Sequence, residues 1–459
     1  MIRKLLTLAS LVLIAAFVLT ACGSAATTAA PATAAPATAA PATAAPATAV
    51  PPTAVPPTAT LKPVTINWWH ISTADPGLSF WAGLAKQYMA AHPNVTINIT
   101  VLENEAFKTK LTTVLQSGTP PDIFQSWGGG DMNAQVQAGM LQDITPALDA
   151  NNGAWRSTFG AGALSVYAYQ GKNYGVPWDM GMVGWWYNKD LFAKAGITST
   201  PATWTDLLND VKALKAAGIT PIALGEGDKW PGMHMWMYLA TRIGGEAAFD
   251  AAYTQKGSFT DPAFVEAGQK LQELIALQPF QPGYLGATHD DMEAAFGNGK
   301  AAMELTGQWG PSVEMADSAT KKGVANLGFF NFPAVEGGVG KLTDVCGGGN
   351  GFAIGKNAPP EAIDFVKFLT SATNEAAMAK LGMGIPPVTG AESGLTDPNM
   401  LAVKQNVANA TYFQLYYDQY LPPAMGSALN DSVQMIFAGT GTPQQAAQAI
   451  EDSAKQNLK

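Results

Sequence analysis

The chain has 459 residues, 47% of them hydrophobic and 13% charged, with a formal charge of −9. That length exceeds what one hydrophobic core usually serves, so two domains are expected. The acidic balance leaves no basic stripe to neutralise phosphates, which excludes nucleic acid as a partner, and it excludes a basic membrane-surface protein as well.

In chain order, Met1-Ile2-Arg3-Lys4 is a short positive region, Leu5 to Leu19 is an apolar run broken only by Thr7 and Ser10, and the small pair Thr20-Ala21 precedes Cys22. Residues 1–21 therefore read as a cleavable export signal rather than a spanning helix. "LTAC" resembles the lipobox of bacterial lipoproteins, which implies lipidation of Cys22 and anchoring through buried acyl methylenes. From Ala26 to about Pro63 the sequence is nearly all Ala, Pro and Thr, with nothing to bury. Residues 22–63 are expected to be an extended tether, with a reach on the order of 100 Å in polyproline II. Cys346 is the only other cysteine, so with Cys22 lipidated no intrachain disulfide forms and Cys346 is expected to be a small buried residue.

Folded sequence begins at Val64. "VTINWWH" alternates as a strand, Phe80, Trp81, Leu84, Tyr88 and Met89 recur at helical spacing, and "NVTINITVLE" returns to alternation. Strand, helix, strand is the unit of a parallel sheet. A helix carrying Phe107, Leu111, Val114 and Leu115 stops at Gly118, and "PPDIFQSW" is the next strand. In "VGWWYNKDLF", Val183, Trp185 and Tyr187 share one strand face and Trp186 takes the other. Thr203 and Asp206 have the spacing of a capping box for a helix carrying Leu207, Val211 and Leu214, with Gly218 as its stop. "ITPIALG" is strand-like, and helices follow from Pro360 and from Pro443 to Asn457. Interleaved strands and helices make the class α/β.

Catalytic motifs are sparse. None of the 4 histidines, His70, His92, His234 and His289, forms an H-x-x-x-H pair, so no metal centre is expected. Neither a G-x-S-x-G elbow nor a P-loop occurs, and no cofactor is expected. The carboxylates Asp75, Asp131, Asp179, Glu226, Glu304 and Asp344 stand near aromatic or Gly-rich positions, and any two could in principle serve a glycosidase. Tryptophan carries the stronger signal. All 12 lie in the folded part. Trp81 and Trp204 sit mid-helix and read as core. Trp69, Trp127, Trp178, Trp230 and Trp309 instead stand beside Asp, His, Lys or Gly at element ends. An indole face suits the C–H face of a pyranose while neighbouring polar groups take its hydroxyls.

The pieces "SGTPPDIFQSWGGGDMNAQVQAGMLQDITP", "YGVPWDMGMVGWWYNKDLFAKAGI", "PATWTDLLNDVKALKAAGITPIAL", "FGNGKAAMELTGQWG" and "GGGNGFAIGKNAPPEAIDFVKFLTS" run in order over nearly the whole folded chain. In them the sequence resembles the maltose-binding-protein-like solute-binding proteins of ABC-type sugar importers. The resemblance implies two α/β lobes, each with a mostly parallel sheet, and a sugar held between them. The lobes would be residues 64–177 with 348–385, and 178–347 with 386–459, joined by crossings in "GVPWD" and "DVCGGGN". It also implies a non-enzymatic monomer that closes about a hinge and delivers its ligand to a membrane permease. On the matching motifs, the binding residues would be Trp69, His70, Trp127, Gly128, Trp178, Asp179 and Trp309, with Trp230, Asp75, Asp131, Asp344 and Asn350 as a second set. Tyr416 and Tyr417 either contribute or pack inward. "QSWGGG" and "YGVPWD" look most like the branch for short plant oligosaccharides such as xylo-oligosaccharides. A surface glycoside hydrolase using two cleft carboxylates, and a receptor of the same fold for a polyol or peptide, are the competing readings.

Overall fold

In a computed structural model that describes residues 62–458, Val64–His70 is the hub of a five-stranded sheet. The expected export signal, Cys22 and the expected tether up to residue 61 lie outside the described residues. Alternation within "VTINWWH" turns Ile66, Trp68 and His70 inward. The strand pairs in parallel with Val95–Val101 and Ile123–Ser126, and the sheet is completed by Gly351–Ile354 and Gly175–Pro177, both antiparallel additions. Helix Gly77–Ala91 lays Trp81, Leu84 and Tyr88 on this sheet. The Trp81 ring meets Trp68 edge-on at 5.8 Å and Trp178 at 5.1 Å, contacts that contribute about 0.5–1.5 kcal/mol each beyond area burial.

A second group of strands forms the other lobe. Leu327–Phe330, Gly184–Asn188, Ala301–Thr306 and Thr220–Ala223 make one sheet in that order. Its neighbours are antiparallel except for the last pair, so this sheet is mixed rather than mostly parallel. The cause is connectivity: Gly184–Asn188 enters straight from the crossing between lobes and runs against both of its partners. Trp185 and Trp186 are fully buried on opposite faces of this strand, as alternation predicts. Helix Trp204–Ala216 carries the expected capping box, with Thr203 and Asp206 reciprocally bonded. The longest helix among the described residues, Trp230–Tyr253, is interrupted at Gly245 and is buried on all sides from Pro231 to Arg242 in the same core. Cys346 is buried beside the Thr241 hydroxyl, 3.4 Å away.

At "GVPWD" and "DVCGGGN" the chain changes sheets: Gly175–Pro177 and Gly351–Ile354 belong to the five-stranded sheet, whereas Gly181–Met182 and Asp344–Gly348 belong to a separate three-stranded one, with residues 178–180 and 349–350 between them. The return after residue 385 differs from expectation. Val388 bridges Phe159 of the first lobe and Thr389 N donates to Thr158 O (2.7 Å), whereas Leu395 and Met400 join the second lobe's core. The turn of chain from 386 to 391 thus stays with the first lobe.

These passages converge on Asp179. Its carboxylate is fully buried and accepts from Gln308 Nε2 (2.7 Å), Asn350 Nδ2 (2.9 Å) and the Ile385 backbone N–H (2.7 Å). A Cβ on Gly384 would come within 2.5 Å of Asp179 Oδ1, so only glycine lets this segment approach. Asp179 was expected in the ligand site; the structure makes it the pin between the passages instead. Asp179→Asn replaces one acceptor oxygen with an amide donor facing other donors. It is expected to lower the unfolding free energy in urea by about 1–3 kcal/mol, and a loss below about 0.5 kcal/mol contradicts this role.

Candidate functional site

Between the lobes lies a cavity of about 1300 Å³, including the part open to solvent. The first lobe supplies the loop Ile71–Gly77, residues Glu103, Asn104 and Lys108 at the start of helix Asn104–Gln116, and Trp127 at the exit of Ile123–Ser126. Trp178, Gly349 and Asn350 form the floor at the crossings. The second lobe supplies Trp230 and His234 from the start of Trp230–Tyr253, His289 and Asp290 from the start of His289–Gly297, Trp309, and Tyr416, Asp418 and Gln419.

The second-lobe wall is a connected aromatic surface. The Trp230 ring lies 4.7 Å from His289, 5.3 Å from His234 and 6.2 Å from Trp309, and Tyr416 lies 6.1 Å from Trp309 and 5.2 Å from His234. Opposite, Trp127 packs edge-on against Phe107 at 5.9 Å, and Lys108 Nζ stands 5.5 Å from its ring centroid. Several buried polar atoms of these lining residues have no hydrogen-bond partner in the protein: Tyr416 Oη, Gln419 Oε1, His234 Nδ1, Trp178 Nε1 and Trp230 Nε1. Buried polar atoms are nearly always paired, so such a group around one cavity marks a surface made for a polar ligand or ordered water.

Of the residues expected from sequence, Asp75, Trp127, Trp178, Trp230, Trp309 and Asn350 line this cavity together. Asn350 also joins floor to hinge, accepting from Gln125 Nε2 (2.7 Å) and donating to Asp179. The others lie elsewhere, for reasons the local geometry supplies. Trp69 alternates away from Trp68 and sits under Lys110 Nζ, 4.8 Å from its ring. His70 is buried against Trp68 and accepts from Ser72 N (3.2 Å), shaping the cleft loop from behind. Gly128 begins helix Gly129–Gln137 at φ +71, and a Cβ there would strike Val166 O. Asp131, on that helix, faces Asp418 from behind the cleft. Asp344 caps its own turn, accepting from Lys341 N and Thr411 Oγ1, each at 2.7 Å. Glu226 and Glu304 are wholly buried. His234, His289, Asp418 and Gln419 were not singled out in advance. They stand at helix starts remote in sequence, and their one local signal is the capping box that opens the helix after Thr288.

Burial dominates the electrostatics. It pushes Asp179 up to about 6, against its three donors, and Glu314 up to about 8. Asp131 rises to about 7 through burial and the nearby Asp418, and Glu226, Glu304 and Glu375 lie well above the carboxylate range. Burial lowers His70 to about 4 and His234 to about 3, leaving both neutral, so each His234 ring nitrogen serves a different bonding role. His289 goes the other way. Burial alone would lower it, but Glu293 and Asp290 raise it to about 9. Among the described residues no cluster of three or more His, Cys, Asp or Glu suits a metal ion, and no helix is long and apolar enough to cross a membrane.

Between pH 6.5 and 8 the raised carboxyls and His289 all bind protons more tightly folded than unfolded, whereas His70 and His234 affect stability only below about 6.5. Stability therefore falls as pH rises through that window. The thermal midpoint is expected to be higher at pH 6.5 than at pH 8, and a midpoint that rises over the interval contradicts the assignment.

Residues 71–376 match the family of bacterial extracellular solute-binding proteins. A curated relative, the uncharacterised ABC transporter extracellular-binding protein PH1214 of Pyrococcus horikoshii, is 27% identical over 248 residues, covering 53% of this chain and 54% of that protein. The match thus spans about half the relative's length. A solved structure described as giving insights into xylan utilisation by the thermophilic bacterium Caldanaerobius polysaccharolyticus is 31% identical, covers 84% of this chain and 99% of that one, and superposes with a TM-score of 0.79. A chitin oligosaccharide binding protein is 26% identical over 86% of this chain and 99% of that one, with a TM-score of 0.78. With two lobes about a cleft, and with the family's sequence running from the cleft loop at Ile71 through the second crossing, the chain belongs to the bacterial extracellular solute-binding proteins.

Proposed function

We propose that this protein is the carbohydrate receptor of an ABC importer, holding a neutral oligosaccharide between its lobes and passing it to a membrane permease. One observation carries the reading: indole faces from both lobes and the floor, Trp127, Trp230, Trp309 and Trp178, line the same cavity as buried polar atoms that have no partner in the protein. A sugar offers apolar C–H faces and a ring of hydroxyls, and it needs both kinds of surface at once. The relatives named for xylan and chitin oligosaccharides support this class. Ligand touching both lobes favours the closed arrangement by its differential affinity, which is the mechanism of a hinge receptor. Chemistry on the sugar is not part of this reading. Glu226, Glu304, Asp179 and Asp344, four of the six acids considered for hydrolysis, are buried away from the cleft.

The test is thermal unfolding with a panel of neutral mono- and oligosaccharides that includes xylotriose and N,N′-diacetylchitobiose. A ligand at about 100 times its Kd adds about 2.7 kcal/mol to the folded state. At least one saccharide is expected to raise the midpoint by several degrees, with its reducing ends unchanged in number over hours. Trp127→Ala and Trp230→Ala are each expected to weaken that sugar roughly tenfold or more, while Trp69→Ala leaves affinity as it was. A panel without a single shift, or equal losses in all three variants, contradicts the proposal.

The N-terminal anchor belongs to the same reading. Cys22 would carry the lipid and residues 22–63 would hold the receptor away from the membrane. Cys22→Ala is expected to abolish incorporation of labelled palmitate and release the protein to the soluble fraction, and unchanged labelling contradicts the assignment.

A further inference from the structure

His289 presents one nitrogen to two partners that make opposite demands on it. Its Nε2 lies 2.9 Å from Glu293 Oε1, which requires a proton on Nε2, and 3.3 Å from Trp309 Nε1, whose N–H requires a lone pair there. A single nitrogen meets only one of these demands at a time. Its other nitrogen, Nδ1, faces Asp290 Oδ1 at 3.5 Å.

We propose that His289 and Glu293 form a proton-controlled positioning device for the ligand wall: with Nε2 protonated and bound to Glu293, the Trp309 indole N–H is free to donate to an oxygen of the bound solute. Loss of that proton turns Nε2 into an acceptor that captures the indole N–H and removes the donor from the cleft. The inference rests on the carbohydrate reading only for the identity of that oxygen.

The surroundings support the protonated state at neutral pH. On the same helix, Asp290 and Glu293 are the near acids, and Thr306 Oγ1 donates to Glu293 Oε1 at 3.3 Å. From the loop before Trp230, Asp228 Oδ2 accepts the His289 backbone N–H at 2.7 Å. Strand Ala301–Thr306 contributes Glu304, and the helix after Trp309 contributes Glu314 and Asp317. His234 shares the Trp230 ring and is kept neutral by burial and the His289 charge; across the cleft stand Glu103, Glu105 and Lys108. Burial, and then the neighbouring Glu293, raises the Glu304 carboxyl well above the usual carboxylate range. Glu293 and Asp290 together raise His289 to about 9 against its burial.

The test uses the full chain carrying 5-fluorotryptophan, with the Trp309 resonance identified by its loss in Trp309→Phe. Without ligand, that resonance is expected to titrate with a midpoint near pH 9. The midpoint should fall by a unit or more in Glu293→Gln, and the titration should vanish in His289→Asn. A Trp309 signal that is flat from pH 7 to 10, or that titrates unchanged in His289→Asn, overturns the proposal. Should Glu293→Gln fail to fold, His289→Asn alone decides. In a second arm, whichever of xylotriose and N,N′-diacetylchitobiose binds at pH 7.5 is expected to bind about three- to tenfold more weakly at pH 10, a step absent in His289→Asn. A pH-independent wild-type affinity overturns the ligand-donor role. Binding of neither sugar, with the indole titration intact, overturns the carbohydrate reading and still upholds the exchange of partners at His289.

Discussion

The buried carboxylate of Asp179 is the constraint on which the rest of the molecule depends. Three donors reach it from separate stretches of chain: Gln308 after a second-lobe strand, Asn350 at the other crossing, and the Ile385 amide on the way to the final return. An ionised group so deeply buried is costly without full hydrogen bonding, and this bonding exists only when all the passages are in register. Asn350 extends the link, since its side chain joins Asp179 to Gln125 and its residue lines the cavity floor. A rigid point between two lobes is what a hinge receptor needs. The lobes can then turn about it without losing their alignment.

Around that point the two walls are built differently. The first lobe offers a loop, the start of one helix and a single indole over which Lys108 is poised. The second offers a continuous aromatic surface backed by buried acids and a charged imidazole. Such a division suits a ligand that docks on one wall and is enclosed by the other. The same low-polarity surroundings that raise the carboxyls of Glu304 and Glu314 strengthen the His289–Glu293 pair, because charge screened poorly by solvent interacts more strongly.

Much of the architecture is legible in the sequence. The alternation of "VTINWWH" and the capping box at Thr203 are local patterns with local causes, and each appears at its expected place. Of the 12 expected site residues, 6 line the cavity, 4 of them tryptophans at the ends of strands or helices. The failures share a cause. In Trp178-Asp179 one neighbour reaches the cleft and the other turns into the hinge, and in Trp69-His70 both turn away from the cleft, so standing at a strand exit does not fix which way a side chain faces. His234, His289 and Gln419 come from separate helix starts that meet only in three dimensions, and no spacing in the sequence joins them.

The central claim is that the lobes close on a saccharide about the Asp179 pin. It is tested most directly by measuring the distance between spin labels on two exposed positions, Leu78→Cys, next to the cleft loop of the first lobe, and Lys322→Cys, beyond the helix Gly310–Asp317 of the second, in a Cys22→Ala background where the remaining Cys346 is buried. A saccharide identified by thermal shift is expected to shorten and narrow the distance distribution, and Trp230→Ala is expected to require more sugar for the same change. An unchanged distribution at saturating sugar would contradict the account.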